Sequence, residues 1–140
     1  MRSVLFVCVA NTCRSPMAAA LAQAYLGDGA RVESAGTAAN DGDPATADAV
    51  EVMGERDLDI ASHRSRPVRS LDLGRYDLIV AVTPSIAEFL RRQGGARSAI
   101  EVIDIPDPLG RGLMAYRRAA DAIEREVHRV CGGHSATNPE

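Results

Sequence analysis

Short apolar runs alternate with longer amphipathic stretches along the whole chain. Runs rich in β-branched and other apolar residues predict buried strands, and they lie at 3–9, 31–35, 76–82 and 99–105. Stretches with apolar positions at helical spacing predict helices, and these lie at 16–26, 44–57, 84–95 and 113–131. Because strands that alternate with helices favour a parallel sheet, we predict a single three-layer α/β domain. Its four-stranded parallel sheet is expected to carry helices on both faces.

Residues that start or stop regular structure refine these boundaries. Ser15 is a favoured helix N-cap and Pro16 a favoured first helical residue. The polar, glycine-containing segment 132–140 predicts a disordered tail. We therefore expect the folded domain to span residues 1–131.

The loop after the first strand combines residue types that a plain turn does not need. In a parallel sheet, ligands bind beyond the carboxyl ends of the strands, where this loop is expected to lie. The loop leads into a helix start, whose free N–H groups and partial positive charge bind phosphate-like anions. Its residues are Cys8, Val9, Ala10, Asn11, Thr12, Cys13, Arg14 and Ser15.

Three of these side chains supply the chemistry of phosphoryl transfer. The field of the helix N-terminus favours a thiolate at Cys8, which makes this sulfur a nucleophile. Arg14 offers a fork of donors that can grip two oxygens of an anion. Ser15 can donate a hydrogen bond to the thiolate. The sequence therefore predicts the phosphate-binding loop of a cysteine-based phosphatase.

Composition and charge narrow the choice of partners. A chain of 140 residues is long enough for one domain with a real core. A net charge of −3 gives no general attraction to nucleic acid or anionic membranes. No apolar run approaches the roughly 20 residues of a membrane span. We expect a cytoplasmic protein with no nucleic-acid or membrane partner.

The cysteine and histidine counts favour thiol chemistry over metal binding. Three cysteines are an odd number and do not form a secreted disulfide framework. The spacing of Cys8 and Cys13 fits no common zinc motif, so we expect no metal and no other cofactor. Cys131 is interpreted as structural, and His128 and His134 as surface residues.

The stretch "VLFVCVANTCRSPMAAAL" resembles the low-molecular-weight protein tyrosine phosphatase family, whose loop has the pattern Cys-x-Gly-Asn-x-Cys-Arg-Ser-Pro. The segments "VESAGT" (32–37), "SHRSRPV" (62–68) and "DPLG" (107–110) match further landmarks of the family in the same order. The resemblance implies a flavodoxin-like fold with the phosphatase loop after the first strand. It also implies a metal-free, two-step hydrolysis of phosphorylated proteins through a phosphocysteine, with inorganic phosphate as a product.

The resemblance assigns roles to individual residues. Cys8 would be the nucleophile, Arg14 the phosphate clamp and Ser15 a support of the thiolate. Asp107 would protonate the leaving group and then act as a base on the hydrolytic water. Asp104 lies nearby in the sequence and is the alternative acid.

Further assignments concern the support of the loop. By the same resemblance, Asn11 would adopt the left-handed conformation that asparagine tolerates, held by Ser34 and His63. Cys13 would correspond to a second loop cysteine that can form a disulfide with the nucleophile and protect it from over-oxidation.

The chain also departs from the family pattern. Ala10 replaces a glycine, which would cost roughly 1 kcal/mol or more if the position requires a positive φ. Leu109 and Gly110 follow Asp-Pro, where the tyrosine phosphatases carry aromatic residues that sandwich a phenol ring. Thr12 is shared with bacterial protein-arginine phosphatases, and its hydroxyl can accept a bond from a guanidinium N–H. These features favour phosphoarginine over phosphotyrosine, which is the alternative substrate.

Three other classes remain alternatives. A thiol-dependent arsenate reductase uses a similar loop but needs two further cysteines in a flexible segment, and the region 84–98 has none. A phosphocysteine carrier of the sugar-transport type needs neither Arg14 nor Asp107. An inactive phosphate-binding module would not need an intact Cys8, Arg14 and Asp107 together, although Ala10 leaves this alternative open.

Overall fold

The computed structural model describes the backbone of residues 2–136 and the side chains of residues 2–132. Four strands and four α-helices alternate along the chain, joined in places by single turns of 3₁₀-helix. In chain order they are β1 (Arg2–Cys8), α1 (Arg14–Leu26), β2 (Ala30–Gly36), α2 (Ala47–Gly54), β3 (Leu78–Ala81), α3 (Pro84–Gln93), β4 (Ile100–Val102) and α4 (Leu113–Ala136).

The strands form one parallel sheet in the order β2-β1-β3-β4. β1 lies in the centre, and its residues Val4, Leu5, Phe6 and Val7 are completely buried. A strand that is buried on both faces has no polar alternation, which is why this segment appears as a continuous apolar run. The predicted four-stranded parallel α/β domain is confirmed.

Helices cover both faces of the sheet. The connection through α1 leads from β1 to one neighbour, whereas α3 leads from β3 outward in the opposite direction. Because parallel crossovers are right-handed, these two helices lie on opposite faces. α4 packs beside α1, and α2 packs against α4.

Several predicted boundaries are wrong, each for a local reason. α1 begins at Arg14 with Cys13 as its N-cap, so Pro16 is the third helical residue. Ser15 cannot act as the cap because its hydroxyl is buried against Cys8. The second helix begins after Thr46, whose side chain accepts a hydrogen bond from Ala49 N at 3.3 Å.

The last strand and the last helix also differ from their predicted lengths. β4 ends at Val102, and Asp104 soon afterwards takes a φ of 48°, which is incompatible with a continuing strand. α4 continues through Ala136, past the end predicted at Cys131. The final part of the predicted tail, 137–140, lies outside the described residues.

The carboxyl ends of the strands bring three chain segments together. The loop between β1 and α1 lies next to the residues after β2, where Thr37 N donates to Cys8 O and Ala38 N donates to Val9 O, both at 2.9 Å. The segment after β4 reaches the same edge, because Ile105 O accepts a hydrogen bond from Arg14. Within residues 2–136, no helix is both long and apolar enough to cross a membrane.

Candidate active site

Cys8 ends β1 with its sulfur held by two polar neighbours. Asn11 N donates to Cys8 Sγ at 3.2 Å, and Ser15 Oγ lies 2.8 Å from the same sulfur. Ser15 Oγ also accepts a hydrogen bond from Asn11 Nδ2 at 2.8 Å, so its own proton can go to the sulfur at 2.8 Å or to the more distant Ala35 O at 3.4 Å. Two donors aimed at one buried sulfur stabilise negative charge on it, as a nucleophilic thiolate requires.

Asn11 is the most completely bonded residue of the loop. It is fully buried and has a φ of 60°. Besides its bond to Ser15, Nδ2 donates to Ser34 Oγ at 2.9 Å, and Oδ1 accepts from Arg66 N at 3.0 Å. Its carbonyl oxygen lies 2.7 Å from His63 Nε2. The structure thus brings Ser34 and His63 onto Asn11, and every polar group of this side chain has a partner.

His63 serves this network in its neutral form. Burial lowers the pKa of His63 below its usual value of 6.5, and the nearby charges of Arg64 and Arg66 lower it further, against the opposing effect of the bond to Asn11. Since a carbonyl oxygen can only accept, the neutral ring donates through Nε2–H to Asn11 O. The remaining ring nitrogen then carries no proton.

Arg66 is a support residue that the sequence analysis missed. Its backbone N–H holds Asn11 Oδ1, while its side chain donates to Ser34 O at 3.1 Å and to Glu33 Oε1 at 2.8 Å. The same carboxylate accepts a hydrogen bond from Tyr76 at 2.6 Å. Arg66 lies within the segment "SHRSRPV", so this landmark contained the signal.

Arg14 is buried beside the loop, and part of its guanidinium already donates to other groups of the protein. Nη1 donates to Ile105 O at 2.8 Å, and Nη2 lies 3.9 Å from Asp107 Oδ2. Its side chain is only 6% exposed, yet Nε has no hydrogen-bond partner among the described residues. Leaving a buried N–H unpaired is costly, and an oxyanion held on the loop would supply the missing acceptor.

Asp107 lies at the open side of the site. Its side chain is half exposed, and Oδ1 accepts from Leu109 N at 3.1 Å and faces Cys13 Sγ at 3.7 Å. Asp104, the alternative acid, is exposed and makes none of these contacts with the loop. The structure therefore brings Asp107, and not Asp104, next to Arg14.

The two cysteines of the loop lie in different environments. Burial raises the pKa of Cys13 to about 12, with smaller contributions from the nearby charges of Cys8 and Asp107. Its thiol therefore keeps its proton and can donate to Asp107. The described cysteines are all free thiols. Cys131 is fully buried within α4, as expected for a structural residue.

Ala10 does not carry the strain considered above. The described non-glycine residues with positive φ are Asn11, Asp57 and Asp104. Ala10 lies outside this set and is exposed, so an alanine fits the position without the cost expected for a left-handed conformation. The concern that Ala10 distorts the loop is thereby removed.

Gly36 is a second residue that the sequence analysis missed. A Cβ atom on Gly36 would lie 2.4 Å from Val9 O and 3.0 Å from Asn11 N, both of them backbone atoms of the loop. Only glycine allows the loop to approach β2 this closely. The residue belongs to the landmark "VESAGT", and its position at the end of a strand was the available signal.

Thr12 and Leu109 occupy the rim of the site. Thr12 is half-buried, and its carbonyl oxygen accepts from Thr46 N at 2.9 Å. Leu109 is 58% exposed beside Asp107. Tyr116 lies below, completely buried, with its hydroxyl accepting from Thr46 Oγ1 at 3.1 Å.

The structure thus brings the Cys8 sulfur, the buried Arg14 guanidinium and the Asp107 carboxyl group together at one loop, the combination that the sequence predicts for a cysteine-based phosphatase. Comparison with known proteins agrees with this geometry. Residues 3–136 match the family model described as low molecular weight phosphotyrosine protein phosphatase. The chain belongs to this family, as the resemblance predicted. Within the described residues there is no group of three or more His, Cys, Asp or Glu side chains that could hold a metal.

Individual relatives carry different names. A probable low molecular weight protein-tyrosine-phosphatase, EpsP, from Ralstonia nicotianae is 35% identical, with 91% of this chain and 92% of that protein covered. A protein-arginine-phosphatase from Geobacillus stearothermophilus is 33% identical over the same shares of the two chains. An arsenate reductase from Bacillus anthracis is 31% identical, again with 91% and 92% covered.

A solved structure supports the same assignment. The YwlE arginine phosphatase from Geobacillus stearothermophilus superposes with a TM-score of 0.89 at 31% identity, covering 98% of this chain and 95% of that one. The family and the fold are therefore shown. The relatives do not agree on one substrate.

Gly36→Ala is expected to reduce kcat/KM by at least about tenfold, because the new Cβ displaces the backbone of Val9 and Asn11 and thereby misplaces the Cys8 sulfur. Gly29→Ala is the matched control, since a Cβ there meets nothing within 4 Å. Steady-state hydrolysis of a small aryl phosphate measures both variants. Equal activity of the two would show that the close approach at Gly36 does not position the loop.

The lowered pKa of His63 makes stability depend on pH with a defined sign. Because the unfolded histidine binds a proton more readily than the folded one, the free energy of unfolding should fall as the pH drops through about 6.5 toward the folded pKa. His63→Gln keeps a donor for Asn11 O but does not titrate, so its stability should vary less over this range. Urea denaturation of both proteins between about pH 8 and pH 5 measures the difference. If the free energy of unfolding changed with pH by the same amount in both proteins, His63 would not be the group that causes the pH dependence.

Proposed function

We propose that this protein hydrolyses phosphorylated protein side chains through a phosphocysteine on Cys8, and that phosphoarginine is its preferred substrate. The observation that carries the mechanism is the convergence of the Cys8 sulfur, the buried Arg14 guanidinium and the Asp107 carboxyl group at one loop. The unpaired Nε of Arg14 supports a bound oxyanion at this loop.

In the first step, Cys8 Sγ attacks the phosphorus and forms an S–P bond. The P–N bond of phosphoarginine, or the P–O bond of phosphotyrosine, breaks, and its electron pair stays on the leaving group. Asp107 gives its proton to that nitrogen or oxygen, since an unprotonated guanidine or phenolate is a poor leaving group. Arg14 binds the equatorial oxygens as charge develops on them.

In the second step, the Asp107 carboxylate takes a proton from a water molecule. The water oxygen attacks the phosphorus, the S–P bond breaks, and its electron pair returns to Cys8 as a thiolate. Inorganic phosphate leaves with four oxygens. Ser15 and Asn11 N stabilise the thiolate at the start and at the end of the cycle.

The residues at the rim of the site favour phosphoarginine over phosphotyrosine as the substrate. Phe6, Tyr76 and Tyr116 are buried, Phe89 packs partly buried against the core, and Tyr25 stacks on His128. These are the five aromatic residues of the chain, so none is free beside Asp107 to stack on a phenol ring. Leu109 stands there instead, and the half-buried Thr12 offers a hydroxyl that can accept from a guanidinium N–H.

Related proposals concern oxidation and location. Cys13, in the same loop as Cys8, would form a disulfide with it under oxidation, sparing the nucleophile from further oxidation.

We place the protein in the cytoplasm, where reducing conditions keep both cysteines as thiols.

The other functional classes have less support. An arsenate reductase must pass its disulfide through further cysteines, and the third cysteine of this chain, Cys131, is fully buried in α4. A phosphocysteine carrier has no use for the acid at Asp107. An inactive binding module would not need Cys8, Arg14 and Asp107 in one site.

The substrate preference is tested by rates on phosphoarginine and phosphotyrosine in the same peptide sequence. Wild-type protein should prefer phosphoarginine. Thr12→Val, which removes the hydroxyl at nearly constant volume, should lower kcat/KM on phosphoarginine by about tenfold and leave phosphotyrosine unaffected. Thr12→Ser retains the hydroxyl and should retain the preference, and Cys8→Ser should abolish turnover of both peptides. A wild-type preference for phosphotyrosine would overturn the proposal.

The acid is tested by comparing leaving groups. Asp107→Asn should slow hydrolysis of peptide substrates by about 10²–10⁴-fold, and should slow an activated aryl phosphate much less, because that leaving group needs no proton. Asp104→Asn is the matched control and should behave as wild type. If Asp104→Asn slowed the peptide substrates and Asp107→Asn did not, the role of general acid would belong to Asp104.

A further inference from the structure

A groove of about 530 Å³ runs from the segment 106–108 along α4. Its inner end is formed by Pro106 and Asp107, so it opens directly beside the site described above. Alanines of α4, among them Ala115 and Ala122, form its floor. The small side chains leave room for a polypeptide to lie along the helix.

Arginines border this groove at regular intervals. Arg111, Arg118 and Arg125 all line it and are exposed. Arg118 and Arg125 lie seven residues apart on α4, which corresponds to two helical turns and about 10.5 Å along the helix axis. Arg111 precedes the helix and lines the same groove, so the three arginines form one stripe along it.

None of the three arginines takes part in a described ion pair. Asp107, at the inner end of the groove, is the one carboxylate among the residues that line it. The acidic residues of α4 are engaged elsewhere. Asp121 and Glu124 both pair with Arg56, and Glu126 pairs with Arg129. The groove thus carries a local positive charge on a chain whose net charge is −3.

We propose that this groove binds an acidic segment of the substrate polypeptide next to the phosphorylated residue. The inference rests on the proposed protein phosphatase function and adds a determinant outside the reacting atoms. An extended segment advances about 3.3 Å per residue, so about three residues would span the interval from Arg118 to Arg125. Carboxylates on that segment pair with the arginines, whose planar guanidinium groups bind them in two-point geometry.

The test uses phosphopeptides that differ only beside the phosphorylated residue. One set carries glutamates over six flanking positions, on either the amino or the carboxyl side, and the matched set carries glutamines. Each set is made with phosphoarginine and with phosphotyrosine. For at least one flank, the wild-type protein should show a kcat/KM about 5- to 20-fold higher for the acidic peptide at low salt, mainly through KM. High salt should reduce this preference.

The variant Arg118→Gln/Arg125→Gln should reduce the preference to less than about twofold. Its activity on a small aryl phosphate, which cannot reach the groove, should remain that of the wild type. Arg92→Gln is the matched control, because Arg92 is highly exposed at the far end of α3. This control should keep the preference for acidic peptides.

The outcomes separate this proposal from the proposed function. If peptides and the aryl phosphate are hydrolysed but the acidic flank has no effect on either side, the groove proposal is overturned and the phosphatase function stands. If the aryl phosphate is hydrolysed and no phosphopeptide is, the protein phosphatase function fails. If the double variant loses binding to an oligonucleotide or to anionic vesicles and keeps the peptide preference, the groove serves another polyanion and the proposal is wrong.

Discussion

The buried side chain of Asn11 holds the site together. Its amide joins the loop after β1 to Ser34 on β2 and to the backbone of Arg66, while its own N–H reaches the Cys8 sulfur. A left-handed φ at a fully buried residue is sustained only where the surroundings fix it. Each bond contributes about 0.5–1.5 kcal/mol net, and a broken network leaves buried polar groups unpaired at a further cost. The loop is therefore shaped before any substrate binds.

The two cysteines of this loop differ in their surroundings. Cys8 receives donors from Asn11 N and Ser15, whereas Cys13 lies buried, keeps its proton and faces the Asp107 carboxylate. Arg14, which starts α1, is tied to the segment after β4 through Ile105 O. The proposed nucleophile, clamp and acid thus come from elements that meet at the carboxyl edge of one sheet, as expected for a parallel α/β fold.

Much of this arrangement could be predicted from the sequence, because the responsible signals are local. The apolar runs indicated the strands, and the short interval from Cys8 to Arg14 indicated the anion loop. Other features depend on contacts between distant segments. The need for glycine at Gly36 arises from Val9 O and Asn11 N, and the role of Arg66 depends on its backbone rather than on its side chain.

The sequence predictions that were wrong also failed because they depended on three-dimensional contacts or backbone angles. The strain expected at Ala10 assumed a backbone angle that a motif cannot reveal, and the cap expected at Ser15 ignored the competing contact with Cys8. The stripe of arginines escaped the sequence analysis because its charge becomes apparent only when the partners of Asp121, Glu124 and Glu126 are known. Net charge alone indicated no general attraction to nucleic acid or anionic membranes and says nothing about a local stripe.

We infer that the loop organised by Asn11 makes the Cys8 sulfur the atom that accepts the phosphoryl group. Rapid acid quenching of wild-type protein during turnover of a phosphopeptide, followed by mass spectrometry of the digested chain, measures this directly. We expect a phosphoryl group on the sulfur of Cys8, formed and consumed at rates compatible with turnover. A phosphoryl group on Cys13 or Ser15, or full turnover without any covalent intermediate, would contradict it.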